Sequence, residues 1–240
     1  MHREHSISLV IPTHNEASGL QRVLHSVPAA VDEVVVVDWR SQDETVAIAR
    51  ACGARVIEEP RQGYGRAYLT GVPASRGEIV VTLDADGTYP ADRILEIIDR
   101  LLDESLAFIS AARLPLGDRA SMNTVNLIGN RLLTTAANTL FAVQLSDLLS
   151  GMWVFKREVW SQLGLRCGDW NLSQEVKLRA LRSLGAGFAE HWIPYAARVG
   201  ESKLSAWRVG AENLRHLFQL RREIGPARRS AHARGPQRNA

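Results

Sequence analysis

The first 112 residues alternate between short apolar runs and segments with helical spacing, and this alternation limits the fold more than any other feature of the sequence. Residues 34–37 are four consecutive valines, which is typical of a strand covered on both faces. Segments with a helical period separate this run from its neighbours. Further apolar runs of strand length occupy residues 7–11, 54–57, 78–83 and 108–111. Repeated strand–helix units joined by short turns predict an α/β fold, with a mostly parallel central sheet flanked by helices.

The second half of the chain has a looser pattern. The elements that it predicts are one or two helices over 123–145, a strand over 153–155, a helix capped by Ser173 over 173–184, an edge strand over 188–194 and an amphipathic helix over 206–222. We therefore expect one domain over residues 1–222. A basic tail over residues 223–240, which has no periodicity and is expected to be disordered, follows it.

The cysteines and the lack of long apolar segments narrow the class of protein. Cys52 and Cys167 lie far apart without CxxC spacing, which argues against a disulfide scaffold or a thiolate zinc site and favours a reducing compartment. No secretory signal peptide fits the first residues. The most apolar long window, residues 127–149, contains Arg131 and Asp147 among other polar side chains. No transmembrane helix is therefore predicted.

Charge is distributed unevenly along the chain. The sequence has 29 basic and 26 acidic side chains, but six arginines and one glutamate lie within residues 221–240. Residues 1–220 therefore carry 23 basic and 25 acidic side chains. A mildly acidic body argues against nucleic acid as a partner. The basic tail suits contact with an anionic membrane surface, although a solubilising terminus would have the same composition.

Polar residues follow three of the predicted strands, and those after the fourth strand are the most informative. Asp84 and Asp86 are two residues apart, so in an extended segment their side chains point to the same side, with Cα atoms about 6.6 Å apart. Ligands of open parallel sheets bind at the carboxyl ends of the strands. Two carboxylates at that edge favour a hard divalent cation that bridges to a diphosphate. Capping of the helix that begins after Pro90 is the alternative.

Several motifs together carry a family resemblance. The segments SLVIPTHNEA, VVVVDWRSQDET, GYGRAYLTG and VVTLDADGTYP, in this order and spacing, resemble family 2 glycosyltransferases of the GT-A fold. The later segments SGMWVF and GESKL are narrower and resemble the polyprenyl-phosphate hexose synthases, the dolichol-phosphate mannose synthase group. The similarity extends over residues 6–220. It implies a Rossmann-like nucleotide-sugar-binding half over residues 6–112 and an acceptor-binding half over residues 113–222.

The resemblance implies an inverting transfer of a hexose from a nucleotide-diphosphate sugar, of the GDP-mannose or UDP-glucose type, to a polyprenyl (dolichyl or undecaprenyl) phosphate. Asp84 and Asp86 would hold Mg²⁺ or Mn²⁺ against the diphosphate, and Asp86 would be catalytic. Three arginines, Arg113, Arg131 and Arg198, would be catalytic and would bind the phosphates. Thr135, one helical turn after Arg131, would also bind phosphate. Solvation at the surface is the alternative for Arg113 and Arg198.

The resemblance also implies residues that contact the substrates. They are Pro12, Thr13, Asn15, Glu16, Asp38, Asp84, Glu175, Ser202 and Lys203. Trp39 and Arg40 depart from the DDGS element usual after the second strand, which leaves base and ribose recognition open. Asn15 and Glu16 fit equally well as caps of the first helix, and Glu175 as an acid favoured at a helix N-terminus. The seven histidines show no metal-binding spacing.

A polyprenyl acceptor would place the reaction at a lipid bilayer. We therefore expect a peripheral protein on the cytoplasmic face of the membrane, docked by residues 123–145 and by the helix over 206–222. An integral-membrane partner is compatible with this location. Two alternatives stay open. One is a family 2 enzyme that acts on a soluble sugar or phosphorylated acid, and the other is a catalytically inactive membrane-associated adaptor, which the altered DWRS element would suit.

Overall fold

The strands of the protein form one central sheet. The computed structural model describes residues 1–198, 206–225 and 234–237. The strands are β1 (Ile7–Thr13), β2 (Glu33–Asp38), β3 (Arg55–Glu58), β4 (Ile79–Thr82), β5 (Phe108–Ala112), β6 (Trp153–Lys156), β7 (Phe188–Trp192) and β8 (Arg234–Gln237). They lie in the order β3-β2-β1-β4-β6-β5-β7-β8. Neighbouring strands pair in parallel except at β6, which is antiparallel to both β4 and β5.

Helices cover both faces of this sheet. They are α1 (Ala17–Ser26), α2 (Thr45–Ala51), α3 (Tyr64–Ala74), α4 (Ile94–Asp103), α5 (Thr124–Phe141), α6 (Arg157–Gln162), α7 (Leu172–Leu184) and α8 (Ala206–Ile224), with short 3₁₀ turns at Ala91–Arg93, Arg119–Ser121 and Gly185–Gly187. Helices α1, α2 and α4 pack on one face, and α3 with α5 to α8 pack on the other. The α/β class with a mostly parallel sheet, as expected, is confirmed.

The run of valines in β2 shows why the strands are apolar on both sides. Val35 and Val37 belong to the core beneath α3, whereas Val36 belongs to the core beneath α1 and α2, and all three are fully buried. Helix α3 approaches this sheet closely. A Cβ atom at Gly71 would lie 2.6 Å from the Val37 side chain and 2.7 Å from that of Val10, so only glycine allows this packing.

Helix α5 is a single helix with a clear start and end. The Asn123 side chain caps it, since Asn123 Oδ1 accepts a hydrogen bond of 2.8 Å from the Asn126 backbone N–H. Ala142 ends it in the left-handed conformation, with φ of +54°. Of the one or two helices expected over 123–145, the structure therefore contains one, which stops four residues earlier than the predicted limit.

Four details of the second half differ from the expectation. Helix α7 begins at the fully buried Leu172, so Ser173 lies inside its first turn and does not cap it. Helix α6 was not expected. Strand β7 is not an edge strand, because β8 pairs with it in parallel. Residues 234–237 of the expected disordered tail thus form regular structure, and Pro236, which lacks a backbone N–H, is tolerated because β8 is the outermost strand.

Within the three described segments, no helix combines the length and the apolar character needed to cross a bilayer.

Candidate active site

Polar segments after β1, β2 and β4 meet at one edge of the sheet. They do so because the carboxyl ends of adjacent parallel strands lie side by side. A cavity of about 510 Å³, which we call the rim cavity, opens between them. It is lined by Pro12 and Thr13 at the end of β1, by Glu16 just after β1, by Trp39 after β2 and by the segment Asp84–Asp86 after β4. Three polar segments that the sequence places at strand ends thus meet in one cavity.

The two acids that follow β4 are held by short polar contacts. Asp84 is half-buried, and its Oδ1 accepts a hydrogen bond of 2.9 Å from the Tyr64 hydroxyl. Asp86 is 6% exposed, and its Oδ1 accepts bonds of 3.1 Å and 2.7 Å from the backbone N–H and the hydroxyl of Thr88. Both carboxylates line the same cavity, so the alternative that they only cap the following helix does not describe their position.

Asp84 has an unusual protonation equilibrium. Burial raises its pKa to about 7, and the charge of Asp86 adds to this increase. The hydrogen bond from Tyr64 and the charges of Arg113 and Arg198 act in the opposite direction without cancelling it. In the protein alone, the positive charge near Asp84 is therefore too small to keep its pKa at the ordinary value. A bound cation would supply the missing charge and favour the ionised carboxylate.

This shift predicts that Asp84→Asn stabilises the protein in the absence of metal. An acid whose pKa rises on folding costs stability above its unfolded pKa, here 3.8, and the cost grows until about pH 7. We expect the Tm of the variant, measured with a chelator, to exceed that of the wild type by about 2–4 °C at pH 8. At pH 4 the two proteins should melt together.

The control for this prediction is Asp43→Asn. Burial acts to raise the pKa of Asp43, but hydrogen bonds from Thr45 and Ala17 hold it below its ordinary value, so this variant should lose stability at pH 8. Equal Tm values for Asp84→Asn and the wild type at pH 8 would contradict the assignment of a strained carboxylate at position 84.

Arg198 joins two of the segments in the rim cavity. Its Nη1 lies 3.2 Å from Asp86 Oδ2, and its Nη2 donates a bond of 2.7 Å to Glu16 Oε1. Its Nε is buried and has no partner in the part of the chain that the structure describes. Arg198 is 182 positions from Glu16 in the sequence, so its place at the acids depends on the fold.

The opposite wall of the rim cavity comes from the second half of the chain. The Trp170 ring stacks on Tyr64 with a centroid distance of 4.6 Å and an angle of 15°. Tyr64 in turn donates to Asp84, so this aromatic pair connects the wall to the acids. Asp169 and two residues of α8, Val209 and Glu212, complete it. The wall thus depends on the segment between α6 and α7 and on α8.

The turns after β1 and β2 are tied to each other. Asn15 Oδ1 accepts a bond of 2.7 Å from the Gln42 backbone N–H, and the Asn15 N–H donates to Ser41 Oγ at 2.8 Å. Neither Asn15 nor Glu16 caps α1 with its side chain. The His14 ring lies 4.2 Å from the Trp39 ring, and both line the rim cavity. His14 is a site residue that the sequence pattern did not reveal.

Asp38 is placed below the rim cavity. It is 2% exposed, and its carboxylate accepts bonds of 2.8 Å from the Thr13 hydroxyl and 2.9 Å from the Ser41 backbone N–H. It is not among the described residues that line the cavity. The expected direct contact of Asp38 with substrate therefore does not match its position, because these internal bonds occupy it.

Arg113 is buried in a network of its own. Its Nε and Nη2 lie 2.7 Å and 2.9 Å from the two oxygens of Asp147, in a bidentate pair. Asn130 donates to the same carboxylate at 2.8 Å, and the Arg113 guanidinium carbon lies 5.1 Å from the centre of the Tyr195 ring. Surface solvation, the alternative for Arg113, is excluded. Asp147 was not predicted as a site residue.

Gly151 marks a close approach that the sequence also did not reveal. A Cβ atom at this position would lie 2.2 Å from the Tyr64 hydroxyl and 3.3 Å from Asp84 Oδ1. Its backbone N–H donates a bond of 2.7 Å to the Tyr89 hydroxyl. Glycine is therefore favoured here because a Cβ atom would overlap the Tyr64 hydroxyl, which donates to Asp84.

Three further predicted residues, Arg131, Thr135 and Glu175, are not among those that line the rim cavity. Arg131 and Thr135 are on the exposed face of α5, where the Thr135 hydroxyl donates to the Arg131 carbonyl oxygen at 2.8 Å. Glu175 is 2% exposed and accepts bonds of 2.8 Å from both the Cys167 backbone N–H and Arg179 Nε. Its expected contact with substrate does not match this position. Ser202 and Lys203 lie outside the described residues.

Comparison with known protein families gives a match over most of the chain. A model described as glycosyl transferase family 2 matches residues 8–164. The chain is 35% identical to a dolichyl-phosphate hexose transferase of Haloferax volcanii, over 85% of this chain and 89% of that protein. It is 28% identical to an undecaprenyl-phosphate 4-deoxy-4-formamido-L-arabinose transferase of Pseudomonas aeruginosa, over 85% of this chain and 61% of that protein.

Solved structures give a match of the whole fold. The chain is similar to glucosyl-3-phosphoglycerate synthase from Mycobacterium tuberculosis in complex with Mn²⁺, uridine-diphosphate-glucose and phosphoglyceric acid. The TM-score is 0.70 with 24% identity, and the match covers 93% of this chain and 81% of that chain. A similarity at this level of identity concerns the fold, and it confirms the fold class expected from the sequence.

Proposed function

Because the chain belongs to glycosyltransferase family 2 and has the GT-A fold, we propose that it transfers a hexose from a nucleotide-diphosphate sugar to a polyprenyl phosphate, with inversion at the anomeric carbon. The meeting of Asp84, Asp86 and Arg198 in the rim cavity carries this proposal. The cavity lies at the edge of the sheet where nucleotides bind in open α/β folds. The name of the Haloferax volcanii relative supports a polyprenyl acceptor.

The acids of the rim cavity fit a divalent cation. Mg²⁺ and Mn²⁺ prefer oxygen ligands, and Asp84 and Asp86 supply carboxylates from one short segment. The raised pKa of Asp84, caused first by burial and then by Asp86, indicates a pair of acids without enough counter-charge. Asp84 and Asp86 would hold the ion. Once bound, the ion would neutralise charge on the leaving diphosphate.

The arginines divide into three roles in this proposal. Arg198, whose buried Nε has no partner among the described residues, would bind the diphosphate of the donor in the rim cavity. Arg113 is already bound by Asp147 and would act through its charge, which lowers the pKa of Asp84. Arg131, with Thr135 beside it on the exposed face of α5, would meet the lipid phosphate at the membrane surface.

The chemistry needs little from a general base. A phosphate oxygen of the lipid forms a bond to the anomeric carbon while the bond from that carbon to the diphosphate breaks, which releases a nucleoside diphosphate. A lipid phosphate is ionised at pH 7, so positioning and stabilisation of the leaving group carry the catalysis. The internal bonds of Glu175 are compatible with this, since no acid is required as a base.

The aromatic walls of the rim cavity suit the nucleoside. Trp39 lines the cavity next to His14, and Asp38 below it is occupied by Thr13 and Ser41. We therefore assign recognition of the base to stacking on the Trp39 ring. Because every base has a ring face that can stack, we expect only a weak preference between guanine and uracil.

The experiment for this proposal is transfer of a radiolabelled hexose. Purified protein is mixed with Mg²⁺ or Mn²⁺ and with labelled UDP-glucose or GDP-mannose, in the presence of polyprenyl phosphate in detergent. Label in the organic phase, dependent on the polyprenyl phosphate and on the metal, is the expected result. A parallel reaction replaces the lipid by a soluble phosphorylated acid. Label found only on the soluble acid would select the alternative acceptor, and no transfer with any donor would favour the inactive adaptor.

Two helices expose apolar side chains that suit a membrane surface. On α5, Val125, Ile128 and Leu132 are 51%, 53% and 66% exposed, and on α8 Leu214 and Phe218 are 42% and 52% exposed. We call these five residues the apolar face. Arginines accompany them, since Arg131 and Arg215 are exposed on the same two helices. Exposed apolar residues flanked by basic ones are typical of helices that lie in the membrane interface, and the peripheral location is part of the proposal.

The membrane contact predicts a clear result in a flotation assay. We expect Ile128→Asp with Leu132→Asp to reduce recovery with vesicles of anionic lipid at least about tenfold, because two exposed apolar side chains that would enter the lipid are replaced by charges that anionic lipid repels. Sucrose-gradient flotation with and without anionic lipid measures the effect.

The matched control is Gln21→Asp with His25→Asp. These two residues are exposed, have the same i, i+4 spacing and lie on α1, away from the apolar face. The control adds the same charge and should float like the wild type. Equal loss in both double variants, or wild-type recovery only in the soluble fraction, would count against docking through α5.

A further inference from the structure

Three side chains of metal-binding type meet behind the wall of the rim cavity. The Cys167 sulfur, a carboxylate oxygen of Glu175 and a ring nitrogen of His216 lie within 4.8 Å of one another. They come from the segment between α6 and α7, from α7 and from α8, so no sequence spacing reveals them. In a tetrahedral zinc site, a thiolate sulfur and an imidazole nitrogen are about 3.6 Å apart. The ligand atoms would therefore need to move by only about 1 Å to bind a zinc ion together.

The surroundings hold these groups in place and leave acceptors unused. Gln174 is fully buried, and its Nε2 donates to the Asn213 carbonyl oxygen at 3.0 Å and lies 2.8 Å from His216 Nδ1. Zinc binding through His216 Nε2 places the ring proton on Nδ1, so the Gln174 amide would turn its oxygen toward that nitrogen. Gln174 Oε1 and Asn213 Oδ1 are buried oxygen atoms without a partner in the described part of the chain.

We propose that Cys167, Glu175 and His216 form a zinc site that is separate from the acids of the rim cavity. The donor set points to Zn²⁺ because sulfur and imidazole suit this ion, whereas Mg²⁺ and Mn²⁺ prefer the all-oxygen set of Asp84 and Asp86. Three protein ligands leave the fourth position to water. The lack of paired cysteines argues against a site built from several thiolates, and a mixed site with one cysteine is compatible with it.

The contacts around Glu175 suit a ligand of moderate affinity. Arg179 Nε and the Cys167 backbone N–H each donate to its carboxylate at 2.8 Å, and such outer hydrogen bonds orient a carboxylate toward a metal. The positive charge of Arg179 also opposes the cation. Zinc would therefore bind reversibly rather than as an inseparable structural ion.

The position of the site gives zinc a structural effect on the rim cavity. The segment that carries Cys167 also carries Asp169 and Trp170, and α8, which carries His216, also carries Val209 and Glu212. All four of these neighbours line the rim cavity. An ion that joins Cys167 to His216 would fix two parts of the same wall to each other and to α7.

The test is zinc binding by the full-length chain, kept reduced and free of metal. We expect one zinc per chain by metal analysis after equilibrium dialysis and a rise in Tm of about 5 °C at a zinc concentration about 100 times the Kd. Co²⁺ in place of Zn²⁺ should give an absorption band from charge transfer between thiolate and metal. Cys167→Ser and His216→Gln should each lose the zinc, the Tm rise and the band.

Two control variants distinguish zinc binding at this site from zinc binding elsewhere on the chain. Cys52→Ser removes an exposed cysteine elsewhere and should bind zinc like the wild type. Asp86→Asn should also bind zinc normally, so the result does not depend on whether the chain transfers hexose. In the Cys52→Ser background, zinc should slow alkylation of Cys167. Unchanged zinc binding in Cys167→Ser, or no protection of Cys167 from alkylation, overturns the proposal.

Discussion

Asp86→Asn is expected to lower hexose transfer by about 10³-fold while the protein stays folded. The substitution keeps an oxygen that can accept the two hydrogen bonds from Thr88, so the local turn has no reason to change. It removes the negative charge that faces Arg198 at 3.2 Å and with it one ligand of the proposed metal. Radiolabelled transfer into organic-extractable lipid, with saturating donor and Mn²⁺, measures the loss.

The control for this loss is Asp92→Asn. Asp92 is an exposed acid in the 3₁₀ turn that follows the same segment, and the same substitution there should change transfer less than twofold. Circular dichroism should give similar spectra for both variants. Transfer by Asp86→Asn at the wild-type rate would falsify the metal assignment, even if the nucleotide were still bound in the rim cavity.

The first half of the fold could be predicted because its signals are local. Each signal indicates the secondary structure of the residues in which it occurs. These signals are the four consecutive valines, the apolar runs of strand length and the helical spacing. The position of the acids after β4 then followed from a rule about parallel sheets, since every such strand presents its carboxyl end at the same edge. Asp84, Asp86 and the turn after β1 were found in this way, with the family resemblance supporting the choice.

The residues that could not be placed depend on contacts between distant parts of the chain. Arg131 interrupts an apolar stretch and is exposed, whereas its neighbour Asn130 is buried and bonds to Asp147. A pattern does not reveal which of two adjacent polar residues turns inward. Glu175 has the expected position in its helix, but its carboxylate is bonded to the backbone of the preceding segment. The cluster of Cys167 and His216 likewise exists only once α8 packs on α7.

The strand in the tail could not be predicted for a related reason. Residues 234–237 have no apolar period, and their backbone pairs with β7, whose own apolar residues predict an edge strand. The partner supplies the ladder of hydrogen bonds, so the segment needs no strand-forming side chains of its own. Short edge strands of this kind leave little trace in sequence.

The largest expected effect on stability comes from Asp147→Asn. Asp147 is fully buried, and Arg113, which is 8% exposed, binds it through two hydrogen bonds. Although burial acts to raise it, the charge of Arg113 and the bonds from Arg113 and Asn130 hold the pKa of Asp147 far below its usual range. Removing the charge leaves a buried guanidinium without its counter-ion. We expect a loss of about 3–5 kcal/mol, or about 10 °C in Tm.

The pH dependence and a matched variant identify the cause of that loss. A depressed pKa stabilises the folded state above the unfolded pKa of 3.8, and this contribution disappears as the pH falls further. The difference between wild type and Asp147→Asn should therefore be complete at pH 7 and shrink below pH 4. Asp103→Asn breaks an exposed pair with Arg3 and should leave the Tm nearly unchanged. If Asp147→Asn and Asp103→Asn lowered the Tm equally, the buried pair would stabilise the protein no more than an exposed pair does. Contacts other than the one with Asp147 would then have to hold Arg113 in place.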